Sequence, residues 1–399
     1  MAEPERRGYG RRGFLALGVG GATALAVGVT HWKDLLQSCS APTKPPGAGA
    51  AYGALGRPDL NGIRLPDRFR ARLVARGGRR VGGTAYRWHD ASDGAATFPV
   101  AGGGWILVSN SEALDGGASA IRFRRDGSVA DAYRILDGTT QNCSGGGTPW
   151  GTWLSCEEVE EGRVWECDPA GGRAAVARPA LGVFKHEAAA VDPRGRRVYL
   201  TEDLVDGAFY RFTPERWPSL TAGRLEVARV GRGGRVDWAE LPDPTARAGP
   251  TRDQARGSTR FARAEGIWFD RGTVYVATTA DSRVHAYDTG EERIEVIYDG
   301  LSSAEAPLIR VDALTGSRAG ELFVCEDIST DAIDMGVITP AREVARFLSI
   351  SGQQHHGSEL TGAVFDPSGT RLYFSSQRAR RTGAIYEVTG PFRRGRATT

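Results

Sequence analysis

No long segment after residue 50 has the 3.6-residue apolar periodicity of an amphipathic helix. Short apolar runs alternate with turn residues instead, and the 399 residues include 54 glycines. Because a surface helix needs an apolar stripe to bury, this absence excludes a mainly helical fold and favours an all-β protein. Large all-β folds of this length often form a single domain.

Net charge is also low, and no basic stripe is interleaved with aromatic residues. The chain has 51 Lys and Arg against 48 Asp and Glu, a formal charge of +3. Many of the basic residues are arginines near the two ends, in residues 6–12 and 393–396. This distribution argues against nucleic acid as a partner.

A phosphate-binding loop of the P-loop type is missing as well. The glycine-rich run at residues 144–147 lacks the lysine and the following helix that such a loop requires. We therefore interpret this run as a close backbone turn.

Cysteine is scarce, with five residues in the whole chain: Cys39, Cys143, Cys156, Cys167 and Cys325. Export would permit disulfides, but their pairing cannot be read from a sequence. Cys156 and Cys325 stand beside acidic residues, which suits a metal ligand at least as well as a cross-link. A bridge between Cys143 and Cys156 would exclude the ligand role of Cys156, and it remains an alternative.

The N-terminus has an apolar run that is short for a membrane-spanning helix. Two arginines, Arg11 and Arg12, precede Gly-Phe-Leu and a Gly- and Ala-rich stretch to Val29, which resembles a twin-arginine export signal. An uncleaved anchor is the alternative. We expect a signal at residues 1–30, a linker at 31–54, a folded domain at 55–392 and a basic tail at 393–399.

These expectations place the protein outside the cytoplasm, in an extracellular, cell-wall or periplasmic location. They also imply a transient partner, the twin-arginine export machinery, and membrane contact only through the signal segment. The sequence contains no clear signal for oligomerisation, and we expect a monomer.

The chain does contain a repeated acidic residue at the end of short strands. Glu112, Glu157 and Glu202 are 45 residues apart, as are Asp281 and Glu326, and a sixth strand ends at Ser376 without the acid. A strand-rich period of about 40–45 residues indicates a β-propeller with one blade per repeat. Six segments predict an all-β, six-bladed propeller. The longer spacing from Glu202 to Asp281 predicts an insertion between residues 213 and 261.

An acid also lies 14 to 17 residues before the strand-end residues Glu202, Asp281, Glu326 and Ser376, and these acids are Glu187, Glu265, Asp312 and Glu359. A strand, a tight turn and a second strand separate the two acids, so one hairpin can bring both to the same edge of the sheet. A propeller gathers equivalent positions of all blades around one channel. The repeated carboxylates therefore predict a central metal site.

Several motifs resemble the PhoX family of exported alkaline phosphatases. The most specific is QNCSGGGTPWGTWLSCEE at residues 141–158, followed in matching order by KHE at 185–187, AEGI at 264–267 and ELTG at 359–362. The resemblance covers roughly residues 55 to 390. It implies a six-bladed propeller whose channel mouth holds two iron and three calcium ions, with one cysteine thiolate bound to iron.

The resemblance also implies site residues. It places the thiolate at Cys156 and carboxylates at Glu112, Glu157, Glu187, Glu265 and Glu359, while Asp312 and Glu326 follow from the repeat. Cys156 and Glu359 are the expected catalytic residues. A thiolate favours iron over calcium, whereas calcium prefers six to eight oxygen ligands.

This chain departs from the family near Glu359, where a basic residue is expected shortly upstream to hold phosphate. The sequence there is QQHHGSE, so Arg310, His355 and His356 are candidates to replace that residue. Trp150, in the signature turn, is a further candidate to line the site. Residues 375–381 read SSQRARR where many members have Gln-His-Pro.

The sequence thus predicts an exported metal-dependent phosphomonoesterase acting on a small phosphate ester, because a cluster of cations can clamp and neutralise a phosphoryl group. Two alternatives remain. One is a calcium-dependent propeller hydrolase such as a lactonase. The other is a non-catalytic binding propeller in which calcium only joins the blades.

Overall fold

A computed structural model describes residues 51–395 except residues 248, 305 and 329. The predicted export signal, Cys39, most of the predicted linker and the end of the basic tail lie outside the described residues. None of the helices in the described part is both long and apolar enough to span a bilayer.

The described chain is built from short strands and six single-turn 3-10 helices. The strands are β1 (Ile63–Arg64), β2 (Arg70–Arg76), β3 (Ser92–Pro99), β4 (Trp105–Ser111), β5 (Ala118–Phe123), β6 (Val129–Leu136), β7 (Asn142–Gly147), β8 (Trp153–Glu157), β9 (Val164–Cys167), β10 (Val176–Ala177), β11 (His186–Asp192), β12 (Arg197–Glu202), β13 (Phe209–Pro214), β14 (Gly223–Val230), β15 (Val236–Glu240), β16 (Ala264–Asp270), β17 (Thr273–Thr278), β18 (Arg283–Asp288), β19 (Arg293–Asp299), β20 (Val311–Gly316), β21 (Leu322–Glu326), β22 (Ala332–Ile338), β23 (Val344–Ser351), β24 (Leu360–Phe365), β25 (Arg371–Ser376) and β26 (Ala384–Thr389). The 3-10 helices are Ala101–Gly103, Pro179–Leu181, Arg232–Gly234, Thr251–Asp253, Gln353–His355 and Ala379–Arg381.

These strands form six antiparallel sheets, which confirms the predicted six-bladed β-propeller. Blades 1 to 6 are β3–β6, β7–β10, β11–β15, β16–β19, β20–β23 and β24–β26. Blade 3 has a fifth strand, β15, followed by a long loop before β16, and this is the insertion predicted from the wide spacing.

The N-terminal strands complete the last two blades. β1 pairs with β23 at the outer edge of blade 5, and β2 pairs with β26 at the outer edge of blade 6. Tyr52 and Phe392, from the two ends of the described chain, pack with Phe69 and Phe347 in the apolar core of these blades. Segments from both ends of the domain therefore pack together in blades 5 and 6, where they close the ring.

The first strand of every blade lines a central channel, and these six inner strands are β3, β7, β11, β16, β20 and β24. Each inner strand pairs with the next strand through a register shift near its first residues. A bulge of this kind inserts one extra residue and re-aims the neighbouring side chains. All six inner strands start at the same mouth of the channel, so the bulges re-aim six side chains there.

Small residues allow the inner strands to approach one another closely. A Cβ atom on Gly94 would lie 2.4 Å from the Cα of Ser144, and one on Gly266 would lie 2.6 Å from the carbonyl oxygen of Asp312. On Gly146 a Cβ would lie 2.0 Å from the carbonyl oxygen of Ala189. Our interpretation of residues 144–147 as a turn is wrong, because they belong to β7. Their glycines serve close packing between blades.

Candidate metal centre at one mouth of the channel

The second residue of each inner strand forms one ring of equivalent positions, here called the inner ring. Its members, from blade 1 to blade 6, are Asp93, Cys143, Glu187, Glu265, Asp312 and Thr361. Four are carboxylates and one is a thiol, and all six lie next to the bulge of their strand. Propeller geometry therefore brings strong metal-binding groups from five blades to one place.

A second set, the outer ring, comes from the end of the second strand of each blade. In every blade, one residue of the second strand pairs with the first residue of the inner strand, and the outer-ring residue comes directly after it in the chain. The outer-ring residues, from blade 1 to blade 6, are Glu112, Glu158, Asp203, Thr279, Asp327 and Gln377. Each backbone N–H of the outer ring donates to the carbonyl of the residue just before the inner strand, at 2.9–3.3 Å. This shared hydrogen bond fixes the outer ring against the inner ring in all six blades.

The residues that accept these bonds form a third set, the leading residues: Ala91, Gln141, Lys185, Arg263, Arg310 and Glu359. Four of them, all but Lys185 and Glu359, have positive φ angles between 43° and 54°. A residue other than glycine pays free energy in this conformation, and such strain is typical of functional sites that the surrounding fold holds in place. Two of the leading residues, Arg263 and Glu359, line a cavity at the mouth.

The ligand atoms of the two rings form three linked groups, in each of which they lie within 4.8 Å of one another. The groups are Asp93–Glu112–Cys143, Cys143–Glu158–Glu187 and Glu187–Glu265–Asp312. Because Cys143 and Glu187 are shared, the three groups are continuous. They border a cavity of about 300 Å³, which is also lined by Asp327, Glu359, Gln377 and Arg378.

Acidic residues outnumber basic ones in this cluster by nine to four. The carboxylates are Asp93, Glu112, Glu158, Glu187, Asp203, Glu265, Asp312, Asp327 and Glu359, and the basic residues are Lys185, Arg263, Arg310 and Arg378. Lys185 Nζ lies 2.8 Å from Glu158 and 3.1 Å from Asp203. Arg263 pairs with Asp203, Glu265 and Asp327. The cluster therefore has five more acidic than basic residues.

Most carboxylates of the cluster resist ionisation unless further cations are present. Burial, and next the neighbouring carboxylates, raise the pKa of Glu187, Glu265, Asp312 and Glu359 well above the usual range. The same causes raise the pKa of Glu112 to about 7, and burial raises that of Glu158 to about 8. Divalent cations would replace those protons, since metal ligands must be deprotonated to bind.

Asp203 shows the opposite effect. Burial would raise its pKa, but hydrogen bonding and charge from Arg263, together with the charge of Lys185, lower it below the usual value. The protein's own basic residues thus keep the outer-ring carboxyl of Asp203 ionised, whereas the inner-ring carboxyls of Glu187, Glu265 and Asp312 have raised pKa values.

Two buried oxygen atoms point to a missing partner. Glu187 Oε2 and Gln377 Oε1 have no hydrogen-bond donor within the described residues. Buried polar atoms are normally satisfied, and an orphan atom among acids suggests a cation. Carboxylate and amide oxygens suit calcium, and the Cys143 thiolate suits iron. The residues present therefore fit the mixed metal centre that the family resemblance implies.

The structure brings five of the sequence-predicted residues to this cluster: Glu112, Glu187, Glu265, Asp312 and Glu359. Their assignment as metal ligands remains a prediction, but their convergence is observed. Glu359 is a leading residue and lines the cavity, whereas the equivalent inner-ring position of blade 6 is Thr361.

Cys156 is not at the cluster. It is fully buried in an apolar cluster with Leu154, Val164 and Leu200, between blades 2 and 3. The thiol at the cluster belongs to Cys143, whose Sγ lies 3.4 Å from Glu187 Oε1. Cys143 lies on the inner strand of blade 2 and Cys156 on the second strand. Both are free thiols, so the alternative of a bridge between them is also wrong.

The sequence interpretation assigned Glu157 and Glu326 to the metal site, but in both cases the acid at the channel mouth is the next residue in the chain. Side chains alternate along a strand, so adjacent acids face opposite directions. Glu157 accepts a hydrogen bond from the N–H of Arg163 at 3.3 Å, and Glu326 accepts one from Asp334 at 2.9 Å. These acids hold the start of the third strand in their own blade. Glu158 and Asp327 occupy the outer ring instead.

Three of the four substrate-binding candidates lie elsewhere. Trp150 is in the turn at the opposite end of blade 2, where its Nε1 donates to Glu166 at 2.8 Å. His355 is buried, with Nε2 2.7 Å from the carbonyl oxygen of Asn61, and His356 is exposed beside a separate cavity. Arg310 is a leading residue at the mouth, but its Nη2 is paired with Asp327 Oδ2 at 2.7 Å.

Sequence reasoning missed Asp93, Cys143, Glu158, Asp203, Asp327, Gln377 and Arg378. Three of these could have been found, because Glu158, Asp203 and Asp327 are the second members of consecutive acid pairs. Arg378 follows Gln377 of the outer ring, and its Nη2 lies 3.2 Å from Glu112 Oε2 and 3.7 Å from Glu359 Oε1. It is a basic residue near Glu359 that comes from downstream rather than upstream.

The fold and the cluster define a class: a six-bladed propeller with a candidate metal centre at one channel mouth. The family model described as alkaline phosphatase PhoX matches residues 115–174 and 159–298. Over residues 115–298 the chain is therefore similar to the PhoX family. No curated protein matches it significantly in sequence.

Solved structures show the same fold. PhoX of Pseudomonas fluorescens, in complex with vanadate as a transition-state analogue, superimposes with a TM-score of 0.71 at 18% identity, covering 88% of this chain and 97% of that chain. A protein of unknown function from Bacteroides thetaiotaomicron has a TM-score of 0.52 at 12% identity, covering 84% of this chain and 83% of the other.

Proposed function

We propose that the protein is an exported, metal-dependent alkaline phosphatase that hydrolyses small phosphomonoesters. One observation carries this proposal. Nine carboxylates and a thiol converge on the channel mouth in a chain that the PhoX alkaline phosphatase model matches. The similar structure of PhoX from Pseudomonas fluorescens contains vanadate, an analogue of a transferring phosphoryl group.

The inner and outer rings supply the ligands in this proposal. Cys143 would hold iron together with Asp93, Glu112, Glu158 or Glu187, its neighbours in the linked groups. Glu187, Glu265 and Asp312 would hold the remaining ions, for a total of two iron and three calcium by family resemblance. When bound, these cations would neutralise the charge of the phosphoryl oxygens.

The chain's own basic residues orient and ionise the ligands around that centre. Arg263 donates from Nε and Nη2 to Asp203, at 2.8 and 3.1 Å, and from Nη1 to Asp327 at 3.1 Å. Lys185 joins Asp203 to Glu158. These bonds hold three outer-ring carboxylates in fixed positions before any substrate arrives, which is the preorganisation that phosphoryl transfer requires.

We further propose export in the folded state by the twin-arginine route, and function as a monomer. The support for export is the arginine pair and the apolar run before Val29. Replacing Arg11 and Arg12 by lysine should retain the protein in the cytoplasm, as measured by cell fractionation. Secretion of that variant at the level of the unchanged chain would contradict the proposed route.

The cysteines on the first two strands of blade 2, Cys143 on β7 and Cys156 on β8, offer a matched test of the proposed centre. The full chain, purified after export, would be analysed for iron and calcium and assayed with p-nitrophenyl phosphate. We expect Cys143→Ala to lose iron and at least about 100-fold in turnover, because a first ligand is removed. Cys156→Ala should retain both, with only the stability cost of a small core cavity.

Full iron and full turnover in Cys143→Ala would contradict the assignment of the thiol. An unchanged chain that contains calcium, lacks iron and hydrolyses no phosphomonoester would contradict the phosphatase proposal itself.

A further inference from the structure

Arg378 differs from the other three basic residues of the cluster in how it is held. Arg310 donates to both the carbonyl and the carboxylate of Asp327, at 2.6 and 2.7 Å, and Lys185 and Arg263 each bridge several carboxylates. Arg378 makes only two longer contacts, at 3.2 Å to Glu112 and 3.7 Å to Glu359. Its side chain is also the most exposed of the four, at 48%.

The backbone of Arg378 is firmly placed although its guanidinium is not. Its N–H donates to Ser358 Oγ at 3.0 Å, and its carbonyl accepts from the N–H of Arg381 at 2.7 Å. Ser358 directly precedes Glu359, and both line the cavity together with Arg378. The side chain therefore starts from a fixed point on the cavity wall and ends in a loosely held cation at its opening.

Both partners of Arg378 are carboxylates of the candidate metal centre. Glu112 belongs to the group with Asp93 and Cys143, and Glu359 lines the same cavity. Cations that bind these carboxylates would compete with Arg378 for the same negative charge. Once they are bound, the guanidinium has lost its ionic partners and faces a site whose excess negative charge is now neutralised.

We propose that Arg378 is a phosphate-binding residue which metal binding releases from Glu112 and Glu359. A guanidinium presents a planar pair of N–H donors that matches two oxygens of a phosphate group, and it stays charged at any working pH. This inference rests on the proposed phosphatase function, and it makes substrate binding dependent on an occupied metal centre.

The test compares Arg378→Gln, Arg378→Lys and a control, Arg381→Gln, in the full exported chain. Arg381 is an exposed arginine of the same loop that does not line the cavity, so its replacement removes the same charge from the surface. Binding of inorganic phosphate would be measured by calorimetry, with and without prior metal removal, and metal content by elemental analysis.

We expect Arg378→Gln to keep its metals and to bind phosphate roughly 10- to 100-fold more weakly, as expected for loss of a charged hydrogen-bond donor. Arg378→Lys should recover part of this loss, because lysine keeps the charge but not the fork of donors. Arg381→Gln should match the unchanged chain. After metal removal, Arg378→Gln and the unchanged chain should bind phosphate equally weakly.

Equal phosphate affinity in the metal-loaded Arg378→Gln variant and the unchanged chain would overturn the inference. Loss of metal from that variant would also overturn it, since Arg378 would then act through the metal centre. If phosphate binding follows the expected pattern but no phosphomonoester is hydrolysed, the inference stands and the proposed function fails. If hydrolysis is normal and Arg378→Gln has no effect on binding, only the inference fails.

Discussion

Consecutive acidic residues end the second strand of blades 2, 3 and 5, and their two side chains have different environments. Glu157, Glu202 and Glu326 accept hydrogen bonds from the backbone N–H groups of Arg163, Ala208 and Asp334 in their own blades. The next residues, Glu158, Asp203 and Asp327, point to the channel mouth, where basic residues contact them. The first acid of each pair supports the blade, and the second belongs to the cluster.

Adjacent substitutions in blade 2 should separate these two roles. Glu158→Gln should lower metal affinity by at least roughly 10-fold with little change in stability, because it removes one charged ligand of the cluster. Glu157→Gln should lower the free energy of unfolding by roughly 1–2 kcal/mol, since hydrogen bonds to a charged acceptor become neutral ones, and should keep its metal. Metal titration and urea unfolding would check both, and the reverse pattern would contradict the division of roles.

The raised pKa values of two outer-ring carboxyls also predict how the stability of the metal-free protein depends on pH. Glu112 and Glu158 ionise near pH 7 and 8 in the folded state, above their usual 4.5, so the folded state binds more protons than the unfolded state. Stability should therefore fall as pH rises from 6.5 to 8. Burial lowers the pKa of three histidines, His89, His186 and His285, to about 3. Below pH 6.5 the unfolded state therefore binds more protons at these residues than the folded state, and stability should fall as the pH is lowered further.

Thermal unfolding of the chelated protein at pH 6.5 and 8 would measure this effect. The metal-loaded protein should show the opposite trend over the same interval, because deprotonation strengthens metal binding. Parallel trends in the two forms would be inconsistent with carboxyls that exchange protons for cations.

At the scale of single elements, the inner strands decide the geometry of the cluster. Each begins at the mouth, carries its ring residue in second position and shifts register directly afterwards. Small residues then allow neighbouring inner strands to lie in contact, as at Gly94 and Gly266. Close strands are what place ligand atoms from different blades within 4.8 Å of one another.

Replacing Gly266 by alanine should therefore disturb the cluster without removing a ligand side chain. The added Cβ would lie 2.6 Å from the carbonyl oxygen of Asp312 and 2.8 Å from the Cα of Ala313, so β16 and β20 must move apart. We expect a loss of roughly 1–3 kcal/mol in stability and weaker metal binding. Gly83→Ala, where a Cβ meets nothing within 4 Å, is the control and should change neither. Unaltered metal affinity in Gly266→Ala would show that strand spacing is not critical.

The elements were largely predictable from the sequence, and the site only in part. The repeat of strand, turn and strand predicts six blades because each blade needs the same short apolar segments. Glu187, Glu265 and Asp312 were predictable because they begin apolar inner strands. Cys143 and Thr361 occupy the equivalent inner-ring position of blades 2 and 6 but are not acidic, so a search for repeated acids does not find them. The register shift that aims the inner ring leaves no mark in the sequence, and a spacing of 45 residues selected Glu157 in place of Glu158.

At the scale of the whole molecule, the cluster joins blades that are far apart in the chain. The three linked groups combine residues from blades 1 to 5, and Glu359, Gln377 and Arg378 add blade 6. At the outer edge of blade 6, β2 pairs with β26, and Tyr52 packs against Phe392 in the core of blades 5 and 6. The propeller is thus held at its periphery by strand pairing and at its centre by charged groups that require cations.

Chelation should accordingly destabilise the entire propeller rather than one loop. Ligands that bind only the folded state stabilise it according to their concentration and affinity, and here every blade contributes to the binding site. We expect a single unfolding transition at a lower temperature after metal removal, with calcium alone restoring part of the difference. Calorimetry would measure both, and an unchanged transition would contradict a metal centre shared by the blades.

The central claim is a metal centre at the channel mouth with Cys143 as its thiolate ligand. Crystals of the exported protein, measured at the iron absorption edge, test it most directly. We predict an anomalous peak bonded to the sulfur of Cys143 and bordered by the carboxylates of Glu112, Glu158 and Glu187. A peak beside Cys156, or an iron-containing protein with no peak at the mouth, would contradict the account.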